Sequence, residues 1–362
     1  MKMKKLMLSG VAALSVLTLA ACSQTASGGK GDAGSEGKPH AGETLVVTTF
    51  GGDWEAAFVD AVVKPFEEET GAKVEMITLY SADALAQVSA QASSPQIDVV
   101  HFSGGQEFTA AQEGLIEAIE PSELSNYDDL VEVAVAGLER GEGPAMQMAP
   151  IGLVFNTESG APRPTSWLDV FDDAYAEHLA ITDFTNTFGL IAMLRMAETQ
   201  GNSLEKPDAT ISELAKLVSS GDAIAVPTSP DVQSAFAQRN VWLAPYAMDY
   251  AGTLKDAGLP VEFIVPKEGA GASIHTTNVV SGRDNIELSK LFVDYELRPE
   301  AQQVFAERMR YSPVNVKTEL SGDIADEVLT GDELDDVITY APGEIATKRA
   351  AWTDLWNSLV TQ

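Results

Sequence analysis

Cysteine occurs once in 362 residues and histidine four times. That scarcity excludes a disulfide-stapled scaffold and any zinc centre built from Cys and His. Basic side chains are few as well: 23 Lys and Arg stand against 54 Asp and Glu, for a net charge of −31. Nucleic-acid binders need basic surface to displace counterions, so that class is excluded. So is a peripheral protein held on anionic lipid by charge alone. No nucleophile elbow, Walker loop, His-Glu-x-x-His or dinucleotide fingerprint occurs. The nearest candidate, Phe50-Gly51-Gly52, lacks the third Gly. No catalytic constellation is visible, so the sequence argues against an enzyme and implies no cofactor and no resident metal.

What is present is a normal globular interior. Apolar residues make up 45% of the chain, well above the range of disordered sequences. A single core for this length would be unusually large, which favours two lobes. The first residues, Met1-Lys2-Met3-Lys4-Lys5, are basic, and an apolar run from Leu6 to Ala21 follows. This is the pattern of a secretory signal, too short for a confident membrane span. The only Cys, Cys22, closes Leu19-Ala20-Ala21-Cys22, which resembles the bacterial lipoprotein signal. The resemblance implies cleavage after residue 21 and acylation of Cys22, enough for stable anchoring. Losing Lys2, Lys4 and Lys5 takes the charge from −31 to −34. Residues 22–43 hold no large apolar side chain before Leu45 and are expected to form a flexible tether.

The body alternates strands and helices. Leu45–Phe50, Lys73–Leu79, Asp98–Phe102, Met146–Phe155, Leu179–Asp183, Ala223–Val226 and Val261–Val265 read as strands. Helices are expected over Trp54–Glu69, Ala82–Ala92, Glu107–Glu113, Phe188–Thr199, Ile211–Ser219, Ile286–Tyr295, Pro299–Arg308 and Glu344–Leu359, with Trp352, Leu355, Trp356 and Leu359 on one face of the last. The alternation predicts an α/β fold with a mainly parallel sheet.

Three places share one form: a strand, a turn of small polar residues, then a helix start. They are Phe50-Gly51-Gly52-Asp53, Ser103-Gly104-Gly105 and Phe184-Thr185-Asn186-Thr187. Ligands of α/β sheets bind beyond the carboxyl ends of strands, where helix N-termini offer free N–H groups. Each turn could also do no more than cap its helix. His101 ends an apolar strand and reads as a satisfied, partly buried histidine. His275, beside Thr276 and Thr277, fits a cleft wall or a surface turn equally well.

The segment from Phe50-Gly51-Gly52 through Lys64-Pro65-Phe66-Glu67-Glu68-Glu69-Thr70-Gly71-Ala72-Lys73-Val74 resembles the start of solute-binding proteins of ABC importers. Further matches follow in family order: Ile97-Asp98-Val99-Val100, Thr165-Ser166-Trp167-Leu168-Asp169, Asp183-Phe184-Thr185-Asn186-Thr187-Phe188-Gly189, Pro266-Lys267-Glu268-Gly269-Ala270, Leu297-Arg298-Pro299-Glu300-Ala301-Gln302 and Tyr311-Ser312-Pro313-Val314-Asn315. The resemblance is to the polyamine and iron branch of the type II class. It implies a two-lobed type II periplasmic-binding-protein fold, with the ligand cleft between lobes joined by two crossover strands near Met148–Phe155 and Ala272–Val280. Lobe 1 would hold residues 44–148 and 276–318, and lobe 2 residues 149–275. Helices in 319–362 would pack across both.

The resemblance also implies a role: capture of a small solute, delivery to a membrane permease and its ATPase, and a monomeric protein anchored outside the cytoplasm. Carried over by position, Phe50 supplies an aromatic wall, and Asp53 or Trp54 stands where a Tyr is common. Ser103, beside Gly104, matches a small hydroxyl position. Tyr246 falls near an aromatic of the second lobe, with Asp249 behind it. Polyamine binders place acids where this chain has Phe184, Thr187 and Thr276. The substitutes are rich in hydroxyl, amide and N–H donors, which suits an anionic or zwitterionic solute, such as a phosphonate or amino-acid derivative. Ferric iron would call on Tyr246, Tyr250, Tyr311 and His275, and a sensor ectodomain would use the same cleft.

Overall fold

The computed structural model describes residues 37–334 and 336–360. The expected signal, Cys22 and the first part of the tether lie outside the described residues. Residues 37–43 form turns against the body, where the His40 N–H donates to the Thr70 carbonyl at 2.9 Å.

The strands are β1 (Thr44–Thr49), β2 (Lys73–Thr78), β3 (Val99–Ser103), β4 (Ala145–Asn156), β5 (Leu179–Thr182), β6 (Ala223–Val226), β7 (Leu243–Ala247), β8 (Val261–Ile264), β9 (Gly271–Val279) and β10 (Ser312–Pro313). They form one sheet in the order β2-β1-β3-β9-β4-β7-β5-β6, with β8 and β10 also on β4. Pairs β1–β2, β1–β3, β5–β6 and β5–β7 are parallel. The two long strands β4 and β9 are antiparallel to each other and join the halves. Thus β3 pairs with the Val279 end of β9, and β7 with the later half of β4. This is the two-lobed α/β architecture that the resemblance implied, but the sheet is mixed and not mainly parallel, because β4 and β9 run antiparallel to the strands they join.

The helices are α1 (Gly52–Phe58), α2 (Lys64–Thr70), α3 (Ser81–Ala90), α4 (Gln106–Gln112), α5 (Glu132–Val135), α6 (Thr187–Thr199), α7 (Asp208–Ser220), α8 (Ser229–Ala237), α9 (Met248–Asp256), α10 (Ile286–Glu296), α11 (Pro299–Met309), α12 (Asp323–Glu327) and α13 (Pro342–Val360). The first expected helix is one rod with a widened π turn at Val59–Val63. That turn lies just ahead of Pro65, whose missing N–H and bulky ring disturb the ordinary ladder.

Each half has its own core. Trp54, Phe58, Phe66, Phe292 and Val314 meet in the first. Trp167, Leu190, Met193, Leu214 and Leu243 meet in the second. Helix α13 buries Trp352 and Trp356 in the second core and also packs on α4, where Gly343 approaches the Phe108 ring. The sequence reading did not contain β7, α8 or α9. Pro245 interrupts the β7 segment, and proline is unusual in a central strand. Yet Pro245 sits opposite Leu153 in the ladder.

Candidate functional site

The carboxyl ends of β1, β2 and β3 face the start of α6 across a gap, and α13 closes one side. A cavity of about 610 Å³ lies there. Phe50, Tyr80, Ser81, Ser103 and Gln106 line it from the first half. Thr185 and Thr187 line it from the second, and Arg349, Thr353 and Asp354 from α13. That volume is typical of a small-molecule site. Tyr80 is two-thirds exposed at its rim.

Arg349 is the cation of this cavity. Its Nη2 donates to the Thr185 carbonyl and, at 3.4 Å, to Thr187 Oγ1. It makes no ion pair among the described residues. Burial alone holds its pKa below the ordinary guanidinium value. A partly desolvated guanidinium held in place, without a carboxylate, is a receptor for an anionic group.

A second, smaller chamber of about 160 Å³ adjoins the first at Thr187. It runs beside β9 past the end of β3. Its walls include Gly104, Gly105 and Glu107, then Arg140 and Glu142 from the turn before β4, Thr276 from β9, and Tyr340. Arg140 holds Glu142 with two bonds, Nε to Oε1 at 2.8 Å and Nη2 to Oε2 at 2.7 Å. Glu107 is 2% exposed, and its Oε2 has no hydrogen-bond partner. Burial, seconded by the charge of Glu142, pushes its pKa up to about 7, against the pull of the Gly105 and Glu107 N–H groups and Arg140.

Gly104 separates the two spaces. Its φ of 103° suits glycine, and a Cβ there would stand 2.8 Å from Thr187 Oγ1 and 3.2 Å from Arg349 Nη1.

Of the residues picked from the sequence, Phe50, Ser103, Thr185 and Thr187 line the larger cavity, and Gly104, Thr187 and Thr276 the smaller. The others line neither. Gly51 and Gly52 form the turn into α1, and Asp53 is exposed in its first turn. Trp54 is buried between Phe50, Phe58 and Phe305, with Nε1 unpartnered. Asn186 caps α6, accepting from the Phe188 N–H at 2.9 Å. Tyr246 is fully buried against Phe188 and Tyr250. Asp249 is buried at the start of α9, where burial raises its pKa to about 7.

His101 is satisfied at both nitrogens, by Thr48 O at 2.5 Å and Glu296 Oε1 at 3.1 Å. His275 is a buried strand residue between Phe50 and Tyr311, and burial holds it near pKa 3. Arg349, Glu107, Arg140 and Glu142 escaped the sequence reading because no local motif surrounds them. The available signal was a Lys348-Arg349 pair in a chain poor in bases.

The comparisons agree with this geometry. A family model described as "bacterial extracellular solute-binding protein" matches residues 61–330. The gamma-aminobutyric acid-binding protein of Pseudomonas aeruginosa is 25% identical over 337 residues, covering 87% of each chain. The spermidine/putrescine-binding periplasmic protein of Salmonella typhimurium is 23% identical over 283 residues, covering 76% of this chain and 80% of its own. A crystal structure of an ABC transporter protein from Clostridium perfringens superposes with a TM-score of 0.75 at 24% identity, over 87% of this chain and 99% of that one. Two lobes with a cleft at their strand ends fit the fold of these solute-binding proteins. The chain belongs to the bacterial extracellular solute-binding proteins.

Proposed function

We propose that this protein captures a small solute bearing a carboxylate or similar anionic group. The lobes close on it about β4 and β9, and the closed form is presented to a permease and its ATPase. The observation that carries the ligand class is Arg349, a guanidinium in the cleft without a carboxylate partner. A polyamine would meet that cation while missing the acids that Phe184, Thr187 and Thr276 replace. A gamma-aminobutyric acid binder among the relatives has a ligand of the favoured kind.

Calorimetric titration of the purified chain against amino-acid derivatives, phosphonates and polyamines tests this. Arg349→Ala should weaken the preferred anionic or zwitterionic ligand about 30-fold, the loss of about 2 kcal/mol from one charge-assisted contact. Tight binding of spermidine with silence toward every carboxylate and phosphonate would sink the reading.

The anchor belongs to the same proposal: Cys22 carries the lipid. Cys22→Ser should shift the protein from the membrane to the soluble fraction. Unchanged membrane retention would refute lipidation.

A further inference from the structure

Two ion pairs tie one half of the molecule to the other, and a single arginine joins them. Helix α11 packs in the first core through Ala301 and Phe305, and α9 in the second half through Ala251 and Leu254. At the end of α11, Arg310 reaches α9. Its Nη1 and Nη2 donate to the two oxygens of Asp256 at 2.8 and 2.9 Å. Its Nε donates to Glu327 Oε2 at 2.7 Å. Glu327 ends α12, just ahead of Leu329 and Leu334, which pack with the first core. Lys255, one residue before Asp256, donates to the other oxygen of Glu327. Among the described residues, the remaining ion pairs each stay within one half.

The backbone around Arg310 points the same way. Its φ of 55° is the left-handed cap conformation that favours glycine. Strain of this kind persists where the surroundings over-determine it. The arginine stem lies directly on α9, since a Cβ on Gly252 would stand 2.0 Å from Arg310 Cδ. Two residues further on, Ser312 pairs with Met148 of β4, one of the two strands that join the halves. A cavity of about 440 Å³ adjoins the network, lined by Lys255, Arg310 and Glu327 with Met248, Phe263 and Val328. The charged pairs therefore have room to part without tearing a packed core. None of the four charged residues lines either cavity of the cleft.

We infer that Arg310, Asp256, Glu327 and Lys255 form a hinge latch, which holds the halves closed and sets how much of the protein is closed before any solute arrives. The arrangement described is closed at the cleft, because Gly104 of the first half abuts Thr187 of the second, where an added Cβ would lie 2.8 Å from Oγ1. A guanidinium fork fixes orientation as well as distance, which suits it to holding a hinge angle. Losing one partner shifts the balance between open and closed forms without any contact to the solute. The inference rests on the reading that the halves move about β4 and β9, and is independent of the ligand class.

The test is double electron–electron resonance on the full chain carrying Cys22→Ser, without solute. Spin labels go on Asp83→Cys in α3 and Lys216→Cys in α7, both exposed and one in each half. The intact latch should give a dominant short distance and a minor long one. Asp256→Asn and Glu327→Gln should each raise the long share about tenfold relative to the short one. Raising salt from about 0.05 M to about 1 M should move the intact latch in the same direction, because the Asp256 side chain is 62% exposed. Arg298→Gln is the control. It breaks a forked pair to Glu69, at 2.8 and 3.2 Å, inside the first half, and should leave the shares as they are.

A long share that is present in the intact chain and equal in Asp256→Asn and Glu327→Gln overturns the latch and leaves the hinge standing. An equal rise in Arg298→Gln also overturns the latch, since any broken ion pair would then loosen the halves. A single distance in every protein overturns the hinge, and the latch with it.

Discussion

The two cavities of the cleft differ in nearly every physical respect. The outer one is wide, rimmed by exposed side chains, and governed by one cation on α13. The inner one is about a quarter of that size, buried, and governed by an acid on α4. In the outer cavity the charge stays partly hydrated and is held by the Thr185 backbone carbonyl and the Thr187 hydroxyl. In the inner one, burial is strong enough to push Glu107 up to about 7, so the empty chamber keeps a proton there near neutrality. The lesson is that one cleft can present a permanent charge at its mouth and a conditional one in its depth.

The strongest way to break this asymmetry is to reverse its outer pole. Arg349→Glu should lower affinity for carboxylate solutes about 100-fold or more and raise affinity for putrescine, read by competition binding. An unchanged preference would show that the outer cavity does not select charge.

The inner pole is sharpened by pH. Glu107 binds its proton up to about pH 7 in the folded chain but only to about its ordinary 4.5 when unfolded. Stability from this group is therefore full below about pH 4.5 and lost as pH rises to about 7, on the order of 3 kcal/mol. Asp249, raised from 3.8 to about 7, adds a slope of the same sign. His275 works oppositely: held near 3 by burial, it supports the fold above about pH 6.5 and withdraws that support as pH falls toward 3. Denaturant melts should show Glu107→Gln gaining stability over the wild type at pH 7.5 and not at pH 4.5. An equal gain at both would refute the buried-acid account.

The partition between the cavities comes next. Gly104→Ala introduces a Cβ at positive φ, 2.8 Å from Thr187 Oγ1. It should cost about 1–2 kcal/mol of stability, read by denaturant melts. An unchanged melt would show that the Gly104 backbone is not constrained against Thr187.

The smallest effect falls outside either cavity. Asn186→Ala removes the α6 cap and should lower stability by about 1 kcal/mol while leaving ligand affinity unchanged. A changed affinity would mean that Asn186 contacts the ligand.

Much of the fold was legible because it follows local rules. Strands β1, β3 and β5 are apolar runs, and the helix patterns ended near their observed caps, as at Gly71 and Gly221. β7 was not legible, because Pro245 argues against a strand and only the ladder to β4 overrides it. At the site, the three strand–turn–helix signals brought Phe50, Ser103, Gly104, Thr185 and Thr187 to cavity walls. The same signals could not separate a wall from a cap, since Asn and Thr serve both.

What the sequence determined by itself is the alternation of elements, the acidic charge and the candidate lipoprotein signal. These depend on residue types and short spacings. The tertiary structure alone decided which charges meet. Glu107, Glu142, Thr187 and Arg349 are scattered along the chain, and each looks like an ordinary surface or helix residue in its local context. They come together because β4 and β9 tie two halves edge to edge and α13 returns across them. The desolvation that turns such residues into a polarised cleft is a property of that assembly and of no single segment.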